Sequence, residues 1–444
     1  YYIDRSTQLL YFWPPTNSGL ENCWISQNTN PFVNLNGVTG ISFRGITFEY
    51  SRASSMINIA GATSNNNTFI NCTMRHAGIS GATVNAGFGN GFKYCHMYGL
   101  GSRGVYLSGG IRSNLTNGEN FVTFSHIHHF SQTDFTYTPA VDLHGCGNIV
   151  RNNEFHDSPH SAILFGGNEH KMEFNNIYDV CRWGSDSGAI YTGRNLGIRG
   201  NIMRYNFIHD IQGFDDSVYV QGVYLDAIVG GNVISSNIFY NIRGIATMDN
   251  GVSYNTFMNN IIAKADHAHQ TACYGATSNV NVTGDGWNLL QLLTADGIHY
   301  QQEPWASRYP ELAAMPNSFS AIMSGDRHWL LPIGCIFKCN AMWTNKALYS
   351  EGSYWYAERI NNLNYTDPEF VDESSYNMNL KQTSPLLKWS CWSPIPFDSI
   401  GINGGSIKVS SPNVGGPSDQ ISFSKSVSVS IFSVLSIAFL IICN

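Results

Sequence analysis

Two aspartates beside short apolar runs are the residues of this sequence best suited to chemistry. Asp186 stands before "SGAIYTGR", and Asp226 ends "GVYLD". Glycoside hydrolysis generally needs two carboxyl groups flanking a sugar bond, one as proton donor and the other as base or nucleophile. Asp186 and Asp226 are the first candidates for such a catalytic pair.

The runs beside these acids belong to a repeated unit, seen at 104–110, 161–167, 188–194 and 222–228. Matching Ala189 with Val223 places Asp186 three positions before the match and Asp226 three positions after it, so both leave one side of the sheet. Six positions along a straight strand span about 20 Å, whereas paired glycosidase carboxylates lie roughly 5 to 9.5 Å apart. The pair therefore requires a bend, which the turn-like residues 185–188 predict at Gly188.

Simpler interpretations of both acids stay open. Asp186 could cap a turn, and Asp226 could be a solvent-facing strand residue paired with Arg194. Asp is a poor strand former, which favours a chemical reason for Asp226. Other acids could also be its partner: Glu154, Glu169, Glu173, Asp215 and Asp216.

Five side chains near the acids are candidates for holding a sugar, because aromatic rings stack on sugars and polar groups bond their hydroxyls. They are Tyr191, Arg194, Tyr224, His160 and Trp183. His156, Asp157 and His160 could suggest a metal site or a proton relay, but the pair His209 and Asp210 repeats the first two residues, which favours a turn. The ten cysteines include no CxxC pair. No metal and no cofactor are predicted.

A repeat without a strict period indicates the fold. Aligned segments place one Asn in each copy, followed two residues later by an apolar residue, as in a strand facing a core. Buried amides in successive coils can bond to one another and to the backbone. The column is Asn153, Asn175, Asn206, Asn237 and Asn255. The sequence predicts an all-β, right-handed parallel β-helix with an asparagine ladder and a short helical insertion.

The composition of the chain limits the class of molecule that it is expected to bind. The charged fraction is 12% and the net charge is −7, so nothing draws the chain to nucleic acid. A neutral, hydroxyl-rich polysaccharide or oligosaccharide suits it better, and we expect a monomer. Cys72 and Cys95 fall one coil apart at equivalent places, where either a disulfide or simple stacking would fit.

The expected organisation has four parts. Residues 1–16 lead into a β-helix domain at 17–402 with an insertion at about 287–349, followed by a flexible linker at 403–426. Residues 427–443 are an apolar tail behind small residues and a polar spacer, which predicts a glycosylphosphatidylinositol signal or a membrane anchor and a protein at the cell surface. Five glycosylation sequons agree with secretion: Asn66, Asn71, Asn114, Asn281 and Asn364.

The opening "YYIDRSTQLLYFWPP" and the segments "NNEFHDSPHSAILFGGN", "SDSGAIYTGRN" and "GVYLD" together resemble the β-helix glycosidases of glycoside hydrolase family 141, over about residues 1–402. The resemblance implies hydrolysis of α-L-fucosidic or xylan- or pectin-type linkages, with Asp186 and Asp226 as the two acids. This chain departs from the family at Ala227 and Asn195, where relatives carry Asp.

Two other functions stay open. A carbohydrate-binding or structural surface protein could keep the solenoid without the chemistry, as Ala227 and Asn195 permit. A polysaccharide lyase would need a cluster of acids for calcium and a Lys or Arg base on one strand face. The sequence shows no such cluster, so an extracellular glycosidase is the leading hypothesis.

Overall fold

Successive coils of the chain stack on one another with their strands in parallel register. The computed structural model describes residues 2–13, 23–215, 219–250, 253–272, 288–325, 328–343, 346–350, 357–402 and 440–443. Within these residues each coil contributes a strand to each of three columns, A, B and C, which confirms the predicted parallel β-helix. Columns A and B form one 20-stranded sheet, and column C is an 11-stranded sheet.

The strands of column A are Thr47–Ser51, Thr73–Ala77, His96–Leu100, His126–His128, Glu154–His156, Asn176–Tyr178, Phe207–Ile211, Ala341–Trp343 and Leu363–Asn364. Those of column B are Val33–Asn36, Ser55–Ala60, Ser80–Val84, Val105–Leu107, Val141–Leu143, Ile163–Phe165, Gly188–Gly193, Val220–Asp226 and Ala347–Tyr349. Two long strands, Ile238–Asp249 and Ile261–Thr271, run through both columns.

The strands of column C are Ser42–Arg44, Thr68–Ile70, Gly91–Lys93, Phe121–Thr123, Ile149–Arg151, Lys171–Glu173, Ile202–Arg204, Val233–Ser235, Thr256–Met258, Ile336–Lys338 and Glu358–Ile360. Antiparallel pairs lie outside the columns: Tyr2–Asp4 with Leu9–Tyr11, Cys23–Ser26 with Leu440–Cys443, and Phe370–Asp372 with Asn377–Leu380.

Alternation along each short strand builds the core. In most three-residue strands of columns A and C the central residue is buried between two half-buried ones, as at Phe155 and Val150. Stacking aligns these residues, so Phe69 and Phe92 lie ring on ring with centroids 5.3 Å apart. The inward residues of all three columns form one continuous apolar core.

Two ladders of buried amides mark the turns on either side of column C. The first joins Asn153, Asn175, Asn206 and Asn237, each amide donating to the next at 2.9–3.1 Å, as predicted. It continues to Asn260, not to Asn255. The prediction for Asn255 is wrong, because Thr256–Met258 pairs with Val233–Ser235 and so places Asn255 beside Asn232 in the second ladder.

The α-helices of the described residues come in the sequence between the column B part of Ile261–Thr271 and the column C strand Ile336–Lys338. They are α1 (Leu289–Leu293), α2 (Trp305–Arg308), α3 (Pro310–Ala313) and α4 (Phe319–Ile322). Trp305 is fully buried and its indole donates to the carbonyl of Arg112 at 2.8 Å. A β-helix strand resumes at Ile336, inside the insertion expected at about 287–349, because Ile336–Lys338 pairs with Thr256–Met258.

The described residues cover only part of the predictions about the cysteines, the glycosylation sequons, the linker and the apolar tail. Cys72 and Cys95 are buried free thiols, while Cys339 and Cys391 form a disulfide. The sequon residues Asn66, Asn71, Asn114 and Asn364 are exposed, and Asn281 lies outside the described residues. So do the linker and all of the apolar tail except 440–443. Among the described helices, none is long and apolar enough to span a membrane.

Candidate active site

Asp226 is a buried carboxylate held by three side chains. It is 7% exposed at the end of its column B strand. Its Oδ2 accepts a hydrogen bond from the Tyr191 hydroxyl at 2.9 Å. Its Oδ1 lies 3.1 Å from the Tyr224 hydroxyl and accepts from Asn250 Nδ2 at 3.0 Å. Three partners from three successive coils fix the plane of this carboxylate, whereas a strand residue that merely faced solvent would need none.

Asp186 reaches the same hydroxyl from the turn between columns A and B. Its Oδ1 lies 3.1 Å from Tyr224 Oη. Both Oδ1 atoms contact one oxygen, so they can lie no farther apart than twice 3.1 Å, about 6 Å. Asp186 is exposed and Asp226 is buried. The structure therefore brings together the two acids that the sequence singles out, one at the surface and one beneath it.

The bend that makes this possible is not at Gly188. Asp186 has φ 55°, the left-handed region that Asp tolerates better than most residues, and the chain turns there. Gly188 is already the first residue of the strand, and a Cβ on it would lie 2.8 Å from Tyr224 Cβ. Gly188 thus leaves room for Tyr224, the residue that joins the two acids.

The strand register also differs from the predicted match by one residue. Ile190, not Ala189, is the partner of Val223, and Gly193 is the partner of Asp226. Asp226 consequently packs against a residue without a side chain: a Cβ at position 193 would lie 3.1 Å from Asp226 Cβ and 3.3 Å from Oδ2. Gly193 and Asn250 are site residues that the sequence did not indicate, since neither carries a signal apart from its place in the stack.

Both tyrosines of the site hold their protons strongly. Burial, followed by the charges of Asp226 and Asp186, raises the pKa of Tyr224 far above its ordinary value. Burial and Asp226 do the same to the pKa of Tyr191. Both hydroxyls are therefore hydrogen-bond donors at any physiological pH.

The five predicted sugar-binding residues differ in where they lie. Tyr191 and Tyr224 contact Asp226, and their rings meet edge to face with centroids 5.2 Å apart. Trp183 is 69% exposed and stacks on Phe135 at 5.7 Å, so it presents an aromatic surface to solvent.

The other two predicted residues, His160 and Arg194, differ in exposure. His160 is buried, and this burial lowers its pKa to about 4. Its ring packs against Tyr137, which is 57% exposed and meets the Tyr191 ring at 6.2 Å. Arg194 is exposed, and its backbone amide donates to the carbonyl of Ala227 at 2.8 Å. Tyr137, and not His160, is thus the side chain that faces solvent here.

The alternative acids have partners elsewhere. Glu173 lies on the outer face of column C, where Arg151 and Arg204 pair with it and cover it completely. Glu169 pairs with Arg308 of α2. Glu154 accepts from Tyr178 on the outer face of column A at 2.8 Å. Asp215 is exposed, and Asp216 lies outside the described residues.

The two departures from the family resemblance have local explanations. Ala227 is fully buried, with φ 21°, directly after Asp226. The Asn195 Oδ1 accepts from the Gly197 amide at 2.8 Å and so closes a turn. Because Asp226 already meets Asp186 across Tyr224, the pair forms without an acid at either position.

A further carboxyl, Asp249, lies on the core side of the strand next to Asp226. It is fully buried, and burial raises its pKa from 3.8 to about 7 against hydrogen bonds from Cys335 and Asn255. Because the folded-state pKa lies above the unfolded value, the stability that Asp249 contributes is fully present below about pH 4 and is lost as the pH rises through about 7.

We therefore expect Asp249→Asn to leave the melting temperature nearly unchanged at pH 4 and to raise the stability at pH 8 by roughly 2–4 kcal/mol. Asn keeps the oxygen that accepts from Asn255 Nδ2 at 3.0 Å. Thermal unfolding of both proteins from pH 4 to 8 measures the difference, with the exposed Asp134→Asn as control. A difference that does not change with pH would contradict the prediction.

Comparisons with known proteins add little to this geometry. No family model and no curated protein matches the chain. It is similar to a solved glycoside hydrolase, 14% identical with a TM-score of 0.35, over 47% of this chain and 38% of that one. It is similar to a PL6-family alginate lyase, 12% identical with a TM-score of 0.34, over 86% and 57%.

A mannuronic acid-specific family 6 polysaccharide lyase from the human gut microbiota is 12% identical with a TM-score of 0.31, over 73% of this chain and 87% of that one. The chain thus spans 38% and 57% of the first two structures. Likenesses this partial identify neither a family nor a substrate, and membership of glycoside hydrolase family 141 stays a prediction.

Proposed function

We propose that this protein is a glycoside hydrolase whose catalytic carboxyls are Asp186 and Asp226. One observation carries the proposal: the Tyr224 hydroxyl lies 3.1 Å from both carboxylates. A hydroxyl has one hydrogen and can donate to only one of them at a time. The hydroxyl therefore links the two carboxyls at one point, and two neighbouring carboxyls are the pair of groups that acid-catalysed cleavage of a sugar bond requires.

The environments of the two acids suit different tasks. Asp226 is held in one orientation by Tyr191, Tyr224 and Asn250, as a carboxylate acting on one sugar carbon must be. Asp186 stands exposed at the rim, where it can reach a glycosidic oxygen. We assign Asp226 as the base or nucleophile and Asp186 as the proton donor.

The separation of the carboxyls favours one stereochemical course. Retaining enzymes place them about 5–5.5 Å apart, and inverting enzymes about 6.5–9.5 Å apart. The limit of about 6 Å between the two Oδ1 atoms allows the retaining separation, and retention would proceed through a glycosyl-Asp226 intermediate. Proton NMR of the first product would show the same anomer as the substrate, and added methanol would yield a methyl glycoside.

The substrate class is tested by incubating the purified chain with aryl α-L-fucoside, xylan fragments and pectin fragments. The expected result is reducing sugar from one of these substrates, with none from the double variant Asp186→Asn/Asp226→Asn. Equal product from both proteins, or sugar binding without turnover, would overturn the assignment; the second result would favour a binding protein. Unsaturated product absorbing near 235 nm would indicate a lyase.

A substitution beside the site tests whether the position of Asp226 matters. Gly193→Ala places a Cβ 3.1 Å from Asp226 Cβ, which forces the carboxylate to move by a few tenths of an ångström. We expect kcat to fall about tenfold with little loss of stability. Gly166→Ala is the matched control, since its Cβ meets His144 Nδ1 at 3.2 Å in the adjoining coil and leaves Asp226 untouched. Equal kcat values for the two variants would contradict the prediction.

A further inference from the structure

The outer face of column A carries a group of imidazoles that the proposed hydrolysis does not use. His96, His126, His128 and His156 come from three successive coils. The His126 and His156 Nε2 atoms lie 2.6 Å apart, and those of His96 and His128 lie 2.8 Å apart. All four are half-buried. Stacking of parallel strands therefore concentrates ring nitrogens that are far apart in the sequence.

Two sets of three ligand atoms in this group lie within 4.8 Å of one another. One set is His126, Glu154 and His156, and the other is His96, His126 and His128. Zinc and its neighbours in the periodic table bind imidazole nitrogen and carboxylate oxygen at about 2.0–2.2 Å, so ligand atoms this close can share one ion. His126 belongs to both sets.

The surroundings favour the set that contains Glu154. The His156 Nδ1 donates to Asp157 Oδ2 at 2.7 Å, which leaves the lone pair on Nε2. A carboxylate behind a ligating histidine is the usual outer support of such sites. Glu154 Oε1 accepts from the Tyr178 hydroxyl at 2.8 Å, which orients the carboxylate.

The charges near the two sets of ligand atoms also favour the set that contains Glu154. Glu154 and Asp157 bring two negative charges to this set, partly offset by Arg182, which pairs with Asp157 at 2.8 Å. Beside the other set, the Arg75 guanidinium donates to the Tyr98 hydroxyl at 3.0 Å, and the Tyr98 ring stacks on His128. Arg75 also pairs with Glu49 at 2.6 Å, which compensates its charge, so this set has no net negative charge beside it and no carboxylate among its ligands.

We propose that His126, Glu154 and His156 bind one divalent transition metal ion of the zinc class. The ion would join the coils of His126–His128 and Glu154–His156, with water in its fourth position. The two imidazoles must move apart from 2.6 Å to roughly 3.4 Å to bind it, a small motion for rings on an outer face.

A matched control lies in the same column. His209 repeats the arrangement of His156, since its Nδ1 lies 2.7 Å from Asp210 Oδ2, but its Nε2 faces the Asn176 amide oxygen at 3.1 Å and not a second imidazole. His209→Gln therefore removes a histidine with the same support and no partner ligand.

The test is equilibrium dialysis of the tag-free, chelator-treated chain against Zn²⁺, with Co²⁺ absorption as a second readout. Wild type and His209→Gln are expected to bind one ion with equal affinity. His126→Gln should bind at least about tenfold more weakly, and so should Glu154→Gln, an isosteric change that keeps the acceptor for Tyr178 and hence the fold. Tetrahedral Co²⁺ bands should disappear in both weakened variants.

Three results would overturn the proposal. They are no stoichiometric binding by wild type, equal loss in His209→Gln and His126→Gln, or a greater loss in His96→Gln than in Glu154→Gln, which would place the ion in the other set. None of these measurements depends on hydrolytic activity, so they stand apart from the test of the proposed function.

Discussion

Replacing Asp226 with Asn is expected to lower kcat/KM for the sugar substrate by about a thousandfold or more, because the amide can act neither as a base nor as a nucleophile. Asn fills the same space: its Oδ1 can keep the hydrogen bond from Asn250 Nδ2, and the Tyr191 hydroxyl can rotate to accept from its Nδ2. The variant should therefore fold. Initial rates on the substrate identified from the panel, with circular dichroism as the check of folding, measure the effect.

Three further substitutions test whether this loss reflects the proposed roles of the two acids. Asp186→Asn should cost a comparable factor on substrates with poor leaving groups and much less on aryl glycosides, whose phenolate needs no protonation. Asn tolerates the left-handed backbone at position 186, so this change is conformationally mild. Asp226→Gly should regain activity with added azide, which replaces the lost carboxylate.

The third substitution is Tyr224→Phe, which removes the hydroxyl between the two acids and leaves both carboxyls in place. It should lower kcat/KM by about tenfold to a hundredfold. An Asp226→Asn protein that folds and retains a tenth of the wild-type rate would contradict the assignment of Asp226. Absence of azide rescue alone would remove the nucleophile role in favour of the base.

The largest effect on stability is expected from Asn206→Ala in the first ladder. Asn206 is fully buried; its Nδ2 donates to the Met172 carbonyl at 2.9 Å and to Asn237 Oδ1 at 3.0 Å. Its Oδ1 accepts from the backbone and side chain of Asn175 at 3.0 and 2.9 Å. Alanine leaves these groups unpaired in the core, which should cost roughly 3–5 kcal/mol.

Urea unfolding of the two proteins measures this cost, and Asn30→Ala at an exposed position is the control. The control should change stability by less than about 0.5 kcal/mol. A loss below about 1 kcal/mol for Asn206→Ala would mean that water replaces the amide, and the ladder would then have little weight in holding adjacent coils together.

The ladder also shows which assignment the sequence could not make. From Glu154–His156 onward each coil carries an Asn before its column A strand, and many coils carry another before the column C strand. Asn255 and Asn260 are such a pair, five residues apart. Both are followed by an alternating apolar strand, so their local patterns are the same. Only strand pairing separates them, and that pairing is a contact between coils.

The candidate active site likewise contains residues that the sequence indicated and residues that it did not. Asp186 and Asp226 were recognisable because an acid beside an apolar strand breaks the repeat. Their partners Asn250 and Gly193 were not, because an Asn and a Gly are ordinary residues in a chain rich in turns. The one-residue error in register had the same origin: Gly, Ala and Val recur at the starts of these strands, and sequence similarity alone does not fix which of them pair.

By itself the sequence determined the parallel β-helix, the inward-facing residues and the two acids, because strand alternation and a repeated Asn are local properties of the chain. The tertiary structure alone decided that both acids meet at one tyrosine hydroxyl and that histidines from three coils converge on column A. Stacking places side chains about 5 Å apart that the sequence separates by twenty to thirty residues, and the length of each turn sets which ones meet.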